Sequence, residues 1–169
     1  MKLTSRFAAS LLALALAVGF TGRAAVAGDA DAFLGVWTLN AAKSSLPQGG
    51  PPIDLTLTVT DAGGGKYKSV TDTSVAGQAY KVEITFAIDG KDYAPVVTPA
   101  PPGGTPAMSQ SYERVSAKSY KSQAKMNGQV VATSTSEVSA DGKTMTVTTN
   151  AAGGGAAGGA VNKLVFDKK

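Results

Sequence analysis

Residues 80–88, Tyr-Lys-Val-Glu-Ile-Thr-Phe-Ala-Ile, decide the fold, because bulky apolar residues alternate there with polar or small ones. Successive side chains of a β-strand point to opposite faces, so this pattern predicts a strand with one buried face and one face in water. Residues 55–60 and 144–148 alternate in the same way, with threonine at every second position. Weaker alternation predicts further strands at residues 34–40, 66–75, 92–97, 108–115, 118–126, 129–138 and 161–167.

Short turns join the predicted strands. The dipeptides Asp89-Gly90, Asn127-Gly128 and Asp141-Gly142 each lie between two strand-like runs. Such dipeptides accept the positive φ angles of a two-residue hairpin, so we expect consecutive strands to pair antiparallel. After residue 27, no segment has the apolar spacing of a long helix that could cover the sheet. We therefore predict an all-β chain, an antiparallel up-and-down meander of about 8–10 strands closed into a barrel.

The start of the chain has the order of regions found in a secretory signal peptide. Two basic residues precede a largely apolar run at residues 7–20, and Ala25-Val26-Ala27 provides the small residues that a signal peptidase reads. The apolar run is shorter than the ~20 residues of a membrane-spanning helix. We therefore predict a signal-peptide helix within residues 1–27 and a single domain at residues 28–169. The mature protein is expected to be periplasmic or extracellular, without a membrane span after cleavage.

The composition of the predicted mature domain excludes several classes of function. Cleavage after residue 27 removes three of the 16 basic residues and none of the 12 acidic ones, which leaves a net charge of +1. A small charge spread along the chain argues against nucleic acid as a partner. The chain has no histidine and no cysteine, so the usual nucleophile pairs and metal-ligand sets are missing. We expect no catalytic residues, no metal site, no cofactor and no enzyme activity.

Both termini of the predicted domain and one internal hairpin resemble a known superfamily. Residues 33–39 read Phe-Leu-Gly-Val-Trp-Thr-Leu, residues 162–168 read Asn-Lys-Leu-Val-Phe-Asp-Lys, and residues 138–149 carry Ala-Asp-Gly-Lys between two strand patterns. The first segment resembles the opening Gly-x-Trp strand of the calycins, which include the lipocalins and the intracellular fatty-acid-binding proteins. The last segment is similar to the closing strand of fatty-acid-binding proteins. The chain as a whole resembles secreted bacterial lipocalin-like proteins, which implies a calycin barrel.

The resemblance has implications for single residues. It implies that Trp37 lies near the closed end of the barrel, with Lys163 or Arg114 against its ring. A lone Trp in a small barrel usually fills volume, so we expect a packing residue, with a ligand-touching aromatic as the alternative. Fatty-acid-binding proteins carry a helical lid between their first two strands, and the corresponding stretch here is too short and too rich in Pro and Gly. The Arg and Tyr that hold a ligand carboxylate in their closing strand correspond to Leu164 and Phe166. Carboxylate capture at those positions is therefore not implied.

The inward faces of the predicted strands indicate a pocket. Residues 80–88 supply a bulky wall, whereas the inward positions of residues 67–73 and 120–126 are small and partly polar. A mostly apolar lining with a few polar groups is typical of a small-molecule site. We predict a non-enzymatic binding barrel for a small apolar or amphipathic ligand. The predicted ligand-binding residues are Tyr67, Tyr80, Phe86, Tyr120, Met126 and Met145.

Two other functions are compatible with the same sequence. A barrel with a filled core would be a structural or protein-interaction module of the cell envelope that meets its partner through the threonine-rich outer face. A hydrolase would need two carboxylates within about 10 Å of each other, for which Glu83, Glu113 and Glu137 are the candidates. Residues 89–92 and Asp29-x-Asp31 lack the downstream oxygen ligands of a calcium loop. We interpret them as a hairpin turn and a frayed terminus.

Overall fold

The computed structural model describes residues 31–45, 54–75, 77–100, 107–152 and 161–169. Within these ranges the chain forms eleven strands and a short 3-10 helix at Ala41–Lys43. No helix in the described ranges is long and apolar enough to cross a membrane. The signal-peptide helix predicted at residues 1–27 lies outside them. The strands are β1 (Gly35–Leu39), β2 (Asp54–Gly63), β3 (Lys66–Val75), β4 (Gln78–Ala87), β5 (Asp92–Tyr93), β6 (Val96–Thr98), β7 (Met108–Ser116), β8 (Ser119–Met126), β9 (Gln129–Val138), β10 (Thr144–Ala151) and β11 (Val161–Lys168).

All eleven strands belong to one antiparallel sheet with the order β5-β7-β8-β9-β10-β11-β1-β2-β3-β4-β6. Strand β1 pairs with both β2 and β11, so the first and last strands of the domain lie side by side in the middle of the sheet. Consecutive strands pair from β1 to β4 and from β7 to β11. The predicted antiparallel meander is therefore confirmed over these two stretches.

The alternation in β4 decides which face of the sheet is buried. Ile84 and Phe86 are buried, whereas Lys81 and Thr85 on the opposite face are exposed. The register carries this division to the neighbouring strand, because Phe86 lies beside Tyr67 of β3. A twisted sheet with one apolar face buries that face by curling around it. The result is a curled half-barrel whose buried apolar clusters lie on the concave face.

The three predicted two-residue turns have different outcomes. Asn127-Gly128 joins β8 to β9 with positive φ angles of 51° and 79°, as a type I′ hairpin requires. Asp141-Gly142 lies in a longer turn between β9 and β10. The hairpin predicted at Asp89-Gly90 is wrong, because β4 and β5 do not pair. The Gly90 amide instead donates a hydrogen bond of 2.8 Å to the carbonyl of Tyr112 in β7.

A seam separates the two ends of the sheet, and residues 92–98, which we call the seam segment, run along it. Its first part, Asp92–Tyr93, pairs with β7, and its last part, Val96–Thr98, pairs with β4. Pro95 lies between the two parts and has no amide hydrogen to donate to a ladder. The single strand predicted at residues 92–97 is therefore two short strands that join opposite halves of the sheet.

The predicted closure into a barrel is incomplete. In the described part of the chain, no hydrogen-bonded ladder joins β4 directly to β7, because the seam segment changes partner halfway along. Side chains cross the seam near its start, where the rings of Phe86 and Tyr112 stack with their centroids 3.9 Å apart. The architecture is a half-barrel whose seam is held by one segment and by aromatic packing.

Trp37 fills the interior at one end of the half-barrel, which we call the closed end. Its side chain has no exposed surface and belongs to a buried cluster with Val59, Met145 and Phe166. These residues come from four different strands, so the cluster holds the first, second, tenth and eleventh strands together. The predicted packing role of Trp37 is confirmed.

The Gly-x-Trp spacing has a steric explanation. Lys168 of β11 lies over the indole of Trp37, with its Nζ atom 4.9 Å from the ring centroid. Gly35 has a φ of +130°, and a Cβ atom there would lie 2.7 Å from the Cε atom of Lys168. Because glycine has no Cβ atom, the Lys168 side chain has room to pass position 35 and to lie over the indole ring. This contact is a favourable cation–π interaction. The expectation that Lys163 or Arg114 would occupy this place was wrong.

Candidate functional site

Five aromatic side chains form the floor of the interior next to the closed end. Their ring centroids lie 3.9–5.8 Å apart in successive pairs, in tilted, stacked and edge-on arrangements. They surround an enclosed cavity of about 30 Å³, which has room for about one water molecule. The protein's own side chains therefore fill this part of the interior. The aromatic floor consists of Phe33, Tyr67, Phe86, Tyr112 and Tyr120.

Beyond the floor, the concave face is lined by small and hydroxyl-bearing side chains, which we call the open wall. All of them are half-buried, and the register places them on the face of the sheet that carries the floor residues. Ser134 and Thr149 share a hydrogen bond of 2.8 Å between their hydroxyl groups. Small side chains occupy less of the interior than aromatic rings, so side chains fill the interior less along the wall than at the floor. The open wall consists of Ser69, Thr71, Thr73, Ser122, Ala124, Ser134 and Thr149.

A polar cluster lies beside the aromatic floor. The Tyr67 hydroxyl donates to the Asp31 carboxylate over 2.5 Å, and the Arg114 guanidinium donates to the same oxygen over 2.6 Å. The guanidinium also donates to the Tyr67 hydroxyl over 3.1 Å and lies 5.7 Å from the centroid of the Phe33 ring. Asp31 precedes β1, whereas its partners belong to β3 and β7, so the cluster joins both halves of the sheet. The prediction that Asp31 belongs to a frayed terminus is wrong.

The surroundings of this cluster fix its ionisation. Burial raises the pKa of Asp31, but hydrogen bonds from Tyr67, from the Phe33 amide and from Arg114 together hold that pKa below its ordinary value of 3.8. The pKa of Tyr67 is raised, first by burial and then by the hydrogen bond and negative charge of Asp31. Burial also raises the pKa of Tyr112. At neutral pH the cluster is therefore an ionised carboxylate held by a neutral phenol and a guanidinium.

We expect Asp31→Asn to lower the free energy of unfolding at neutral pH by about 1–2 kcal/mol, because a neutral amide is a weaker acceptor for Arg114 and Tyr67. The pKa of Asp31 is lower in the folded than in the unfolded protein. Its contribution is therefore complete above the ordinary pKa of 3.8 and is lost as the pH falls through the lower folded value. Urea unfolding of both proteins between about pH 7 and pH 3 measures the difference. A difference that stays constant across this range would contradict the assignment.

The structure brings three of the predicted ligand-binding residues together. Tyr67, Phe86 and Tyr120 all belong to the aromatic floor and line its small cavity. Met145 lies behind them in the buried cluster around Trp37, with 1% of its surface exposed. Three of the six predicted ligand-binding residues are thus neighbours in the floor, and Met145 packs behind the floor in the core.

The other two predicted residues lie away from the floor. Tyr80 is half-buried near the far end of β4 and lines a shallow open groove of about 440 Å³. Met126 is 39% exposed at the end of β8. A ligand that extended from the floor towards either residue would lie along the open wall.

Four residues of the floor and the polar cluster were missed in the sequence. Tyr112 and Arg114 share one face of β7 because they are two residues apart, and the alternation of residues 108–115 contained that information. Phe33 and Asp31 precede the first strand, and Asp31 is 83 residues away from Arg114 along the chain. No local pattern in the sequence indicates a contact of that kind.

The candidate carboxylates for a hydrolase lie on the outer face of the sheet. Glu83 forms an ion pair of 3.0 Å with Lys68, and Glu113 and Glu137 are exposed on β7 and β9. By the alternation of their strands, all three point away from the aromatic floor. Among the residues that the structure describes, no three acidic side chains are grouped so that they could hold a metal ion.

Solved structures share this architecture. Fatty-acid-binding protein 1 of Echinococcus granulosus matches with a TM-score of 0.57 and 19% identity, over 82% of this chain and 98% of its own. A Schistosoma mansoni fatty-acid-binding protein in complex with arachidonic acid matches with a TM-score of 0.57 and 18% identity, over 84% and 99%. The chain has the fold of the fatty-acid-binding proteins. The fluorescent protein UnaG also matches, with a TM-score of 0.55 and 15% identity, over 81% and 97%.

The likeness is one of structure alone. No protein-family model matches the chain, and no curated protein sequence matches it. The solved structures share the predicted all-β antiparallel fold of this chain. The predicted export and the bacterial lipocalin-like origin stay predictions.

Proposed function

We propose that this chain is an exported, non-enzymatic carrier that binds a small apolar or amphipathic ligand in the concave interior of its half-barrel. The observation that carries the proposal is the division of one concave face into a packed aromatic floor and an open wall of small side chains. Small-molecule sites combine an apolar lining with placed polar groups, and here the floor supplies the aromatic rings and the wall supplies the hydroxyl groups. Export to the periplasm or the medium rests on the sequence of residues 1–27.

The proposed site contains all six residues that were predicted from the sequence, and they have different roles in it. Tyr67, Phe86 and Tyr120 supply the surface on which the ligand ends, and Met145 supports them. Tyr80 and Met126 lie further along β4 and β8, towards the exposed part of the interior. One of the two fatty-acid-binding proteins of the same fold was solved in complex with arachidonic acid, which supports an apolar or amphipathic ligand.

A substitution that fills the open wall tests the proposal. Ser134 lies on the concave face of β9, and the neighbouring Thr135 lies on the outer face of the same strand. We expect Ser134→Phe to weaken the binding of the neutral probe Nile red by about tenfold or more, because the added ring takes the place of the ligand. Thr135→Phe adds the same ring to the other face and leaves the affinity unchanged. Fluorescence titration of the purified proteins gives both dissociation constants.

The alternative function, a structural or protein-interaction module of the cell envelope, is favoured by the enclosed cavity of about 30 Å³. An interior with no more room than that would hold no ligand. Equal Nile red affinities for the two phenylalanine variants and the parent protein would place the probe outside the interior. That result would discard the carrier and favour the module.

A further inference from the structure

The segment that precedes β1 crosses the closed end of the half-barrel. Asp31 is bound there by Tyr67 and Arg114, and the Phe33 ring packs on Tyr120 with the centroids 4.5 Å apart. The carbonyl of Phe33 accepts a hydrogen bond of 2.9 Å from the indole nitrogen of Trp37. The Phe33 side chain is 3% exposed, so the segment is seated in the interior and not on the surface.

The two side chains that anchor this segment present an anion and an apolar ring to the site. The carboxylate of Asp31 occupies the donors of Arg114 and Tyr67, and Phe33 occupies one side of the aromatic cavity. A small amphiphile would offer the same two groups. The chain thus places a piece of itself where the proposed carrier would receive the end of a ligand.

We propose that residues 31–34 are a displaceable plug, which competes with the ligand for the rings of Tyr67, Phe86, Tyr112 and Tyr120 and for the anion-binding pair formed by Arg114 and Tyr67. This inference rests on the proposed carrier function and adds to it that the innermost part of the site opens only when the plug leaves. It also assigns the matching chemistry of the ligand, which is an anionic group next to an apolar one.

The way the plug is held agrees with displacement. Residues 31–34 precede the first ladder of the sheet, which begins at Gly35. Two hydrogen bonds lie within the segment, from the Leu34 amide to the Asp31 carbonyl and from the Phe33 amide to the Asp31 carboxylate, and its other polar contacts are with side chains. The ion pair is partly exposed, with 31% of the Arg114 side chain and 19% of the Asp31 side chain accessible. Segments outside the ladders open at a lower free-energy cost than strands in the sheet.

Charge-matched probes test the competition. We expect Asp31→Asn to raise the affinity for the anionic probe 8-anilinonaphthalene-1-sulfonate about tenfold, because the Arg114 donors lose their internal carboxylate. The affinity for the neutral probe Nile red should rise by a smaller factor. Adding Arg114→Gln to Asp31→Asn should remove the gain for the sulfonate probe and keep any gain for Nile red. Asp92→Asn is the matched control, since it breaks an ion pair of 2.8 Å with Lys125 in which no residue of the plug or of its contacts takes part.

Trp37 reports on the plug directly because it is the only tryptophan of the chain and bonds to Phe33. Displacement should expose its indole N–H to water and shift its emission to longer wavelength, both in Asp31→Asn and when the sulfonate probe binds. Phe33→Leu keeps the Asp31 contacts and replaces the phenyl ring by a smaller side chain, so it should raise the affinity for both probes. This variant decides the matter if Asp31→Asn does not fold.

Each outcome bears on one of the two proposals. Unchanged sulfonate affinity and unchanged Trp37 emission in Asp31→Asn, while Ser134→Phe still weakens Nile red binding, would overturn the plug and leave the carrier standing. If neither probe binds the parent protein, Asp31→Asn or Phe33→Leu, the carrier fails and the plug fails with it. A rise in sulfonate affinity in Asp31→Asn that is absent in Asp92→Asn supports both.

Discussion

Replacing Trp37 by alanine is expected to lower the free energy of unfolding by about 3–5 kcal/mol, the cost of removing a large aromatic side chain from a core. The side chain has no exposed surface and packs in one cluster with Met145 and Phe166. Its removal leaves a cavity among the side chains of four strands, and it leaves the carbonyl of Phe33 without its donor. Urea unfolding followed by far-ultraviolet circular dichroism measures the change without relying on tryptophan fluorescence.

Two further substitutions separate the contributions of Trp37. Trp37→Phe keeps most of the apolar volume and removes the indole donor, so we expect a smaller loss of about 1–2 kcal/mol. Val115→Ala is the control, because Val115 is 56% exposed and should change the stability by less than about 0.5 kcal/mol. A loss in Trp37→Ala no larger than in Val115→Ala would show that the cluster does not hold the closed end together.

Phe86→Ala is expected to cost about 3–5 kcal/mol and to loosen the seam. Phe86 is 4% exposed and lies between Tyr67 of β3 and Tyr112 of β7, at centroid distances of 5.6 Å and 3.9 Å. Its side chain therefore packs against both halves of the sheet at a place where no hydrogen-bonded ladder joins them. Hydrogen exchange at the Gly90 amide, which donates across the seam to Tyr112, should become faster than in the parent protein.

The matched variants for Phe86 distinguish ring stacking from volume. Phe86→Leu retains a buried apolar side chain and loses the aromatic contact, which is worth about 0.5–1.5 kcal/mol beyond area. Thr85→Ala changes the neighbouring exposed position on the outer face and should leave both stability and exchange unaltered. If Phe86→Ala unfolds at the same urea concentration as Thr85→Ala, the seam is held by the backbone and not by the aromatic rings.

The strands were predictable wherever one face of the sheet is exposed to water, because apolar and polar residues then alternate along the strand. The predicted bounds 66–75 and 129–138 coincide with β3 and β9, because alternation ends there at turn residues. The seam segment was not predictable in the same way. Its seven residues contain a proline, and the residues before and after that proline pair with different strands. An alternation pattern carries no information about which strand will be the partner.

The site was predictable only in part for the same reason. Tyr67, Phe86 and Tyr120 were found because each lies on the inward face of a clear strand. The plug was not found, since Asp31 and Phe33 precede the sheet and their partners are fixed by how the half-barrel curls. Charge partners that are distant in sequence follow from tertiary structure and not from local periodicity.

The seam segment also limits how the interior can enlarge. Two residues, Ala94 and Pro95, separate Tyr93 on one half of the sheet from Val96 on the other. At 3.8 Å between successive Cα atoms, this tether spans about 11 Å at most. The two halves are thus tied to each other along their shared border, and at this point the seam cannot open beyond the reach of the tether unless one of the two short ladders breaks.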